Sequence, residues 1–536
     1  MGKWGPLIVL SLAQFLMVID QAVMNVSISQ LVDDFDTDVT AIQGVITFYA
    51  LTMAMLMITG GKVGDILGRR RTFAIGHLVY AAGSALTAVS WSVGSLLVGW
   101  SILEGIGAAL VLPALVALVA ANYSGQDRVA AFGVIGGVAG AGIAVGPIIG
   151  GFFTTNLSWR WVFVGEVALA LVIVALVGLV RDAPVDRKPK LDVVGAVLTA
   201  LGLGLVVVGA LQSSVWGWLL PRDSPIEPFG FALTPFVITA GLLVLWLFKR
   251  WQEHRERSGR DPLVKLALMA VPPVRSGLGS FLAQNIILLG IFFTLPLYFQ
   301  IVLGFDALET GIRMLPISIA MLLTSSSGPL LAKRIAPKRI VQAGFVTLVL
   351  AAFLLLGRID PELDDVAVSV ALVVLGVGMG LIASQLGNVI QSSVGAADRG
   401  EAGGLQYTAQ QLGSALGTAL IGAVVIGALV SAFVNNVESN EEVPGEIAEA
   451  VAVAVNDKAS FVPSGQVSVG LLDAGVDAST ADRIVTDYEA AQLDALKLGL
   501  LIAALIALGA LTLTGDLPGE PLAGDDDETD QEPAAG

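Results

Sequence analysis

Three acidic residues stand inside long apolar stretches of the sequence: Asp20, Glu104 and Glu166. A charged carboxylate at membrane depth costs about 2.5–3.5 kcal/mol or more, so it is retained where it has a partner or a use. Such a carboxyl is most stable when it carries a proton, and it becomes charged when it releases that proton. Reversible proton binding is therefore the chemistry that these residues indicate.

The depths of the three carboxyls suggest that they lie near one another. Counting 1.5 Å per residue from the predicted outer helix ends, Asp20 and Glu104 lie about 12 Å deep and Glu166 about 8 Å deep. If Asp20 and Glu104 face a common cavity, their mutual repulsion keeps a proton on the pair, which could load and release it. Two alternatives stay open: Asp20 bonds Asn25 or a neighbouring helix, and Glu166 pairs with Arg160 near the surface.

The elements that must position these residues are membrane helices. Of the 536 residues, 55% are hydrophobic and 14% charged, whereas a soluble protein has about 25% charged residues. Apolar runs of about 20 residues, enough to cross a bilayer as a helix, recur along the chain. We expect an all-α integral membrane protein with about fourteen transmembrane helices. The predicted helices cover residues 7–28, 44–62, 73–91, 96–120, 131–153, 161–180, 191–211, 229–248, 276–302, 312–332, 340–357, 366–388, 402–434 and 496–515.

The distribution of positive charge orients these helices. With both termini inside, the inner loops and the termini carry most of the 29 Lys and Arg residues, as the positive-inside rule requires. We therefore expect a multi-pass protein of the cytoplasmic membrane with both termini cytoplasmic. The acidic segment 435–495 then lies outside, as a small helical cap or a disordered loop, and the acidic tail 516–536 is expected to be disordered. This acidity fits a high-salt host and ordinary solubilising charge about equally.

Composition and motifs exclude several functional classes. There are no cysteines, and two histidines are too few for a metal cluster, so we expect no metal site and no cofactor. The sequence contains no phosphate-binding GxxxxGK[ST] loop, so nothing indicates a transporter driven by ATP. No nucleophile, base and orienting residue stand together, so an enzyme is not expected. The basic loop from Lys249 to Arg275 is interpreted as topology and lipid headgroup contact, with no role in nucleic-acid binding.

The loop between the second and third predicted helices combines glycines with an acid and three arginines. Its glycines permit a tight turn, and the acid could form ion pairs that differ between two helix arrangements, as a latch does. These residues are Gly61, Asp65, Gly68, Arg69 and Arg70, followed by Arg71. Their order and spacing resemble the signature loop G-x-[LV]-x-D-x-x-G-R-[RK] of the major facilitator superfamily of membrane transporters.

This resemblance implies two six-helix bundles related as parallel repeats, with two extra helices inserted between them. A weaker copy of the loop at 328–339 has Ala332 in place of the acid. The implied domains are an N-terminal bundle at 1–180, a linker with two helices and a basic inner loop at 181–265, and a C-terminal bundle at 266–515.

Two further strings resemble motifs of that superfamily: the first is similar to the motif of its antiporters, and the second to a motif of its fourteen-helix drug:proton antiporter branch. The first is G-x-x-x-G-P-x-x-G-G, whose small residues allow close packing and whose Pro adds a kink; its residues are Gly142, Gly146, Pro147, Gly150 and Gly151. The second is the W-R-W-x-F string that begins at Trp159. Their presence implies export.

The sequence around Asp20 is similar to that branch, but the fourth helix departs from it. The branch has R-x-x-Q-G-x-G-A-A, and here Ser101 replaces the Arg and Glu104 the Gln. The usual Arg-based relay cannot operate, so either Glu104 has taken the coupling role or the protein is not proton-driven.

Polar side chains of the second half are candidates for a substrate cavity, although amides also bond helix to helix in membrane proteins. An apolar cavity with few polar anchors suits an amphipathic organic molecule. Together with one residue of the first helix, the candidates are Asn25, Gln284, Asn285, Tyr298, Gln300, Gln385, Asn388, Gln406, Tyr407 and Gln410.

The resulting expectation is a monomeric secondary transporter in the lipid bilayer that exports small amphipathic compounds or drugs by alternating access, driven by protons. Alternatives are an exporter of a native metabolite and an uncoupled facilitator. From another class, the chain could be a non-transporting receptor that uses its outer loop.

Overall fold

The computed structural model of the chain describes residues 3–123, 125–182, 190–221, 224–332, 334–361, 363–395, 399–458 and 461–521. The side chains of Asn25 and Pro147 also lie outside the described residues. The long helices are α1 (Gly5–Val26), α2 (Val39–Leu67), α3 (Arg69–Ala88), α4 (Gly105–Asn122), α5 (Gly125–Asn156), α6 (Arg160–Leu176), α7 (Val193–Trp216), α8 (Thr234–Arg257), α9 (Pro272–Pro296), α10 (Ala307–Ala332), α11 (Pro337–Leu356), α12 (Asp365–Ser392), α13 (Arg399–Ser439) and α14 (Ala478–Ala510).

Most of these helices are suited to a lipid environment. Among the described residues, 12 stretches are long and apolar enough to cross a membrane. The two long helices outside that set are α3, which begins with three arginines, and α5, which has 32 residues. The all-helical multi-pass fold is therefore confirmed, while the count of fourteen spans stays a prediction.

Local sequence explains where several helices begin. An aspartate precedes each of four helices, and its side chain accepts a hydrogen bond from a backbone N–H of the first turn, which satisfies a group the helix leaves unpaired. These N-cap residues are Asp38 for α2, Asp192 for α7, Asp364 for α12 and Asp477 for α14.

The helices form two bundles with a separate pair. In the first bundle α1 packs against α5, while α3 packs against α4 and α6; in the second, α9 packs against α13 and α10 against α12. The two bundles meet where α5 contacts α10 and α2 contacts α13. The inserted α7 lies against α2 and α13, and α8 packs on α7.

The acidic segment 435–495 is helical where it is described. Helix α13 continues to Ser439, two helices follow at Gly445–Lys458 and Ser464–Asp473, and α14 begins at Ala478. The predicted start of the last helix at residue 496 is therefore wrong. Its acidic first turns are too polar for the apolar pattern to reveal them.

The first residues of the tail are also structured. Asp516 pairs with Arg275 at 2.7 Å, and the backbone N–H of Lys338 donates to the carbonyl of Pro518 at 3.1 Å. Disorder from residue 516 onward is thus wrong for this first part, because the chain is held against the ends of α9 and α11. Residues 522–536 lie outside the described residues.

Candidate functional site: a buried carboxyl cluster

The structure brings all three predicted carboxyls together inside the first bundle. Asp20 comes from α1, Glu166 from α6, and Glu104 from the turn before α4. One oxygen from each lies within 4.8 Å of the others. Asp20 and Glu104 are 0% exposed and Glu166 is 3% exposed, so the cluster is sealed from solvent.

A π-helical segment, Leu97–Glu104, supplies Glu104 and also Trp100. Such segments are rare and are often found at functional sites, because the wider turn changes the direction of side chains. Glycines let this segment approach α3 closely: a Cβ at Gly83 would lie 2.6 Å from the Cγ of Glu104. A side chain at position 83 would therefore displace Glu104, and glycine leaves the space that the Glu104 side chain occupies.

Asp20 is held by an indole. Trp100 Nε1 donates to Asp20 Oδ1 at 2.7 Å. The Tyr49 ring of α2 stacks on Trp100 with 4.4 Å between ring centroids and 5° between planes. A donor to a carboxylate gives a stronger hydrogen bond than one between neutral groups, so this contact favours the charged form of Asp20.

Hydroxyl groups of α3 lie within hydrogen-bonding distance of the two glutamates. Tyr80 donates to Glu166 Oε2 at 3.0 Å, and Ser84 lies 3.4 Å from the same oxygen. Thr87 Oγ1 lies 3.1 Å from Glu104 Oε1. These hydroxyls recur at the spacing of one helix face. These three hydroxyls are not among the predicted site residues, although their spacing along one helix face is visible in the sequence.

The cluster is unbalanced in charge. Asp20 Oδ2, Glu104 Oε2 and Glu166 Oε1 are buried and accept no hydrogen bond. Among the described residues, no Lys, Arg or His pairs with any of the three. Three negative charges at this spacing in a low-dielectric interior repel one another strongly. The free oxygens can instead share a small positive charge, and a proton is the simplest.

The alternative partner for Glu166 is engaged elsewhere. Arg160 forms a short ion pair with Asp34 and donates to the carbonyl of Ser90 at 3.2 Å. Trp159 also donates to Asp34, at 2.8 Å. The alternative pair of Glu166 and Arg160 is therefore wrong, because Arg160 pairs with Asp34 whereas Glu166 is buried and accepts from Tyr80.

Ser101, which stands where the resembling branch has an arginine, turns away from the cluster. Its hydroxyl donates to the carbonyl of Val45 on α2 at 2.7 Å. It therefore joins α2 to the π-helical segment and supplies no charge to the carboxyls.

The glycine-rich string of α5 packs against the opposite side of α1 from Asp20. A Cβ at Gly146 would lie 2.4 Å from the Cβ of Ala22, and those at Gly142 and Gly150 would lie 2.9 Å from α1 side chains. A Cβ at Gly151 would instead lie 2.5 Å from the carbonyl oxygen of Ala307, at the start of α10. The string thus places α1 between α5 and the carboxyl cluster.

The loop that resembles the superfamily signature contains one ion pair and makes a backbone contact with the segment after α6. Asp65 pairs with Arg69 at 3.0 Å. The N–H of Arg70 donates to Asp182 at 3.0 Å, beyond the end of α6. Gly68 has φ of +98°, a conformation that favours glycine. Arg71 is exposed, and Gly61 faces Pro113 of α4.

The second-half candidates divide by their contacts. Gln284, Gln385 and Tyr298 are buried and donate to the carbonyls of Met379, Gly328 and Asp360, at 3.0, 3.1 and 2.8 Å. These bonds join segments within the second half. Gln300 donates to the carbonyl of Val26 at 3.1 Å and accepts from Ser29 at 2.7 Å, so it bridges the two halves.

The remaining candidates of the second half keep some exposure. Asn388 on α12 is exposed, whereas Asn285 on α9 and three residues of α13, Gln406, Tyr407 and Gln410, are partly buried. Helices α9 and α13 pack against each other. The polar groups that this half could offer to a substrate are therefore concentrated on these two helices.

Comparison with known proteins agrees with this architecture. Residues 10–418 match the Major Facilitator Superfamily. A puromycin resistance protein of Streptomyces alboniger is 33% identical over 426 residues, which cover 77% of this chain and 80% of that protein. The multidrug efflux pump LfrA of Mycolicibacterium smegmatis is 29% identical over 415 residues, which cover 77% and 78% of the two chains.

Solved structures show the same fold. A bacterial homologue of the human lysosomal transporter Spinster, in an inward-facing and unoccupied conformation, aligns with a TM-score of 0.61 at 14% identity, over 96% of this chain and 97% of that one. A D-xylose–proton symporter aligns with a TM-score of 0.55 at 13% identity, over 86% and 98% of the two chains. With a family match over most of its length and this arrangement of helices, the chain belongs to the major facilitator superfamily of membrane transporters.

Proposed function

We propose that this transporter exports small amphipathic organic compounds in exchange for protons, and that the exchanged proton binds at the carboxyl cluster of Asp20, Glu104 and Glu166. The observation that carries the proposal is the burial of three carboxyls within 4.8 Å of one another, with no basic partner among the described residues. Such a group binds protons because its fully charged form is unstable in the membrane interior.

The position of α1 links proton binding to movement. Asp20 faces the cluster, while Ala22 on the same helix touches the glycine face of α5. Loss of a proton adds a negative charge to one side of α1, and the resulting repulsion is relieved by a small shift of α1 against α5. Because α5 also contacts α10 of the second bundle, that shift biases the packing between the two halves.

Contacts between the halves at both ends of the bundles support alternating access. At the end assigned to the outside, Gln43 donates to the carbonyl of Thr418 at 2.8 Å, in addition to the bridge formed by Gln300. At the other end, Lys62 of α2 lies 3.9 Å from Glu401 of α13. Breaking one set while keeping the other opens the transporter to one side at a time.

Relatives support export of drug-like molecules. Those compared above are named for puromycin resistance and for multidrug efflux, and another, from Streptomyces glaucescens, is named for tetracenomycin C resistance and export. Asn285, Gln406, Tyr407 and Gln410 offer polar anchors among apolar helices, which suits a molecule with few polar groups.

The test is proton flux in sealed liposomes that contain the purified protein. Puromycin and a lipophilic cation are added, and the wild type is compared with Asp20→Asn and Glu166→Gln. We expect substrate-triggered proton movement in the wild type, and a loss of about a hundredfold in Asp20→Asn, since a positioned proton-transfer group contributes on that order.

Other outcomes identify the alternatives. Substrate movement without proton movement in all three proteins would indicate an uncoupled facilitator, and a response only to a sodium gradient would indicate a different ion. Specific binding without movement of any substrate, abolished by removal of the helices between 440 and 475, would favour a receptor. Transport confined to one endogenous compound would favour a metabolite exporter.

A further inference from the structure

We propose that Glu104 keeps its proton throughout the transport cycle and positions the cluster, while the proton that is exchanged moves on and off Asp20 and Glu166. This inference rests on the proposed proton coupling and divides the roles within the same site. It makes Glu104 a positioning residue that acts through hydrogen bonds as a neutral acid.

The hydrogen-bond donors around the cluster are unequally shared. Asp20 accepts from the indole N–H of Trp100 at 2.7 Å. Glu166 accepts from Tyr80 at 3.0 Å, with the Ser84 hydroxyl 3.4 Å away. A buried carboxylate is stabilised by each donor that it accepts, so these two carboxyls have support for a negative charge.

Glu104 has less support. The hydroxyl of Thr87 lies 3.1 Å from Glu104 Oε1 and 2.9 Å from the carbonyl of Gly83. A hydroxyl has one hydrogen to donate, and a carbonyl oxygen can only accept. If Thr87 donates to Gly83, the hydrogen bond to Glu104 needs a proton on Glu104, whose O–H then donates to Thr87.

The groups that face Glu104 from neighbouring helices favour the same state. They are Asp20 of α1, Tyr49 of α2, Glu166 of α6 and, from α3, Tyr80 and the hydroxyls of Ser84 and Thr87. None of these side chains carries a positive charge, and Glu104 is 0% exposed. A proton on Glu104 removes its repulsion with both other carboxyls at once, which leaves them free to exchange a proton between themselves and the water on either side.

The experiment compares two substitutions of similar size. Glu104→Gln supplies an N–H where the protonated acid has its O–H, whereas Glu104→Leu supplies no hydrogen bond. We expect Gln to keep substrate-driven proton movement within about threefold of wild type and Leu to lower it about tenfold or more, because buried polar groups then lose their partner. Melting temperatures of both variants in detergent identify any that fail to fold.

Infrared spectroscopy of the wild type supplies a readout that does not depend on transport. A protonated carboxyl gives a C=O stretching band distinct from that of a carboxylate. We expect such a band throughout the pH range in which transport occurs, and its absence in Glu104→Gln. The inference is overturned if no band is lost in that variant, or if the folded variant loses proton movement as fully as Asp20→Asn.

The two proposals fail in different ways. If Asp20→Asn and Glu166→Gln both move protons as the wild type does, proton coupling at this cluster is wrong, and the infrared band alone then decides whether Glu104 is protonated. If Asp20→Asn loses proton movement and the Glu104 band is missing, the coupling stands and the division of roles is wrong.

Discussion

The indole N–H of Trp100 reaches Asp20 from a π-helical turn, at 2.7 Å from Oδ1. Both side chains are buried, and Tyr49 stacks on one face of the indole. The contact crosses from the segment before α4 to α1, so it ties the helix that carries Asp20 to the segment that carries Glu104. It also makes the charge on Asp20 sensitive to a residue that cannot itself ionise.

Replacing Trp100 with Phe is expected to move the pH profile of proton exchange to higher pH. Phe keeps an aromatic ring against Tyr49 but has no N–H, so the charged form of Asp20 loses a donor. A hydrogen bond to a charged group contributes about 1.5–3 kcal/mol, which corresponds to a shift of about one to two pH units. The measurement is substrate-driven proton movement in liposomes as a function of pH.

Trp161→Phe is the matched control, because Trp161 is 55% exposed and lies at the start of α6. Its pH profile should match that of the wild type. An unchanged profile in Trp100→Phe would show that the indole N–H has no influence on Asp20.

Apolar runs are sufficient to predict the helices that face lipid, but they carry less information where a helix is polar. The acidic start of α14 escapes prediction for this reason. The π-helical turn before α4 escapes it because hydropathy does not report helix pitch. Depth along the helices brings Asp20 and Glu104 together correctly, whereas Trp100 looks like one more apolar residue in the sequence.

The contacts between the two halves cannot be predicted from a single sequence. Gln300 has the pattern of a candidate for substrate contact, and it bridges two bundles in the structure. An amide in an apolar helix could either contact a substrate or bond to another helix. The structure shows the second role, because the amide of Gln300 donates to the backbone carbonyl of Val26. The role of the glycine string of α5 is easier to predict, because small residues at helical spacing indicate that another helix packs closely there. They do not indicate which helix that is.

Gly146→Ala is expected to impair export. The new Cβ would lie 2.4 Å from that of Ala22, so α1 and α5 must separate. Overpacking of this kind costs about 1–3 kcal/mol, and here it also moves the helix that carries Asp20. We expect about a tenfold loss of export in intact cells at equal protein level in the membrane.

The control for this substitution is Gly137→Ala on the same helix, where a Cβ would have nothing within 4 Å. It should leave export close to wild type. Equal losses in the two variants would mean that helix α5 responds to any change and that the contact with Ala22 has no special role.

The start of α14 is expected to loosen in acid. Hydrogen bonds from Ser479 and Thr480 lower the pKa of Asp477 from 3.8 to about 2. A lowered pKa means that this carboxylate stabilises the helix start above about pH 4, and that the stabilisation is lost as the pH falls through about 2. Asp477→Ala should speed hydrogen exchange in the first turn about fivefold at neutral pH, as expected for a lost N-cap.

The difference between Asp477→Ala and the wild type should disappear as the pH approaches 2, the value to which the pKa of Asp477 is lowered. Asp473→Ala, an exposed acid just before this helix, is the control and should leave the exchange rates unchanged. A difference that persists at low pH would show that Asp477 stabilises the turn without its charge.

Gln300→Leu is expected to favour opening of the two halves at the end assigned to the outside. It removes the bonds to Val26 and Ser29, which lie at 3.1 and 2.7 Å and join the two halves. The chain has no cysteine, so a single Val26→Cys substitution reports on this position without background. Val26 is 1% exposed, and a membrane-impermeant maleimide should label it slowly in the parent protein.

The labelling rate should rise about tenfold in Gln300→Leu, because two hydrogen bonds together contribute about 1–3 kcal/mol. Gln342→Leu is the matched control, since Gln342 donates to Thr514 at 3.0 Å and both residues belong to the second half. That variant loses an amide bond without freeing one half from the other, so its labelling rate should stay at the parent value. A similar rise in both variants would reflect general loosening, and no rise in Gln300→Leu would show that other contacts, such as that of Gln43 with Thr418, hold the outer end closed.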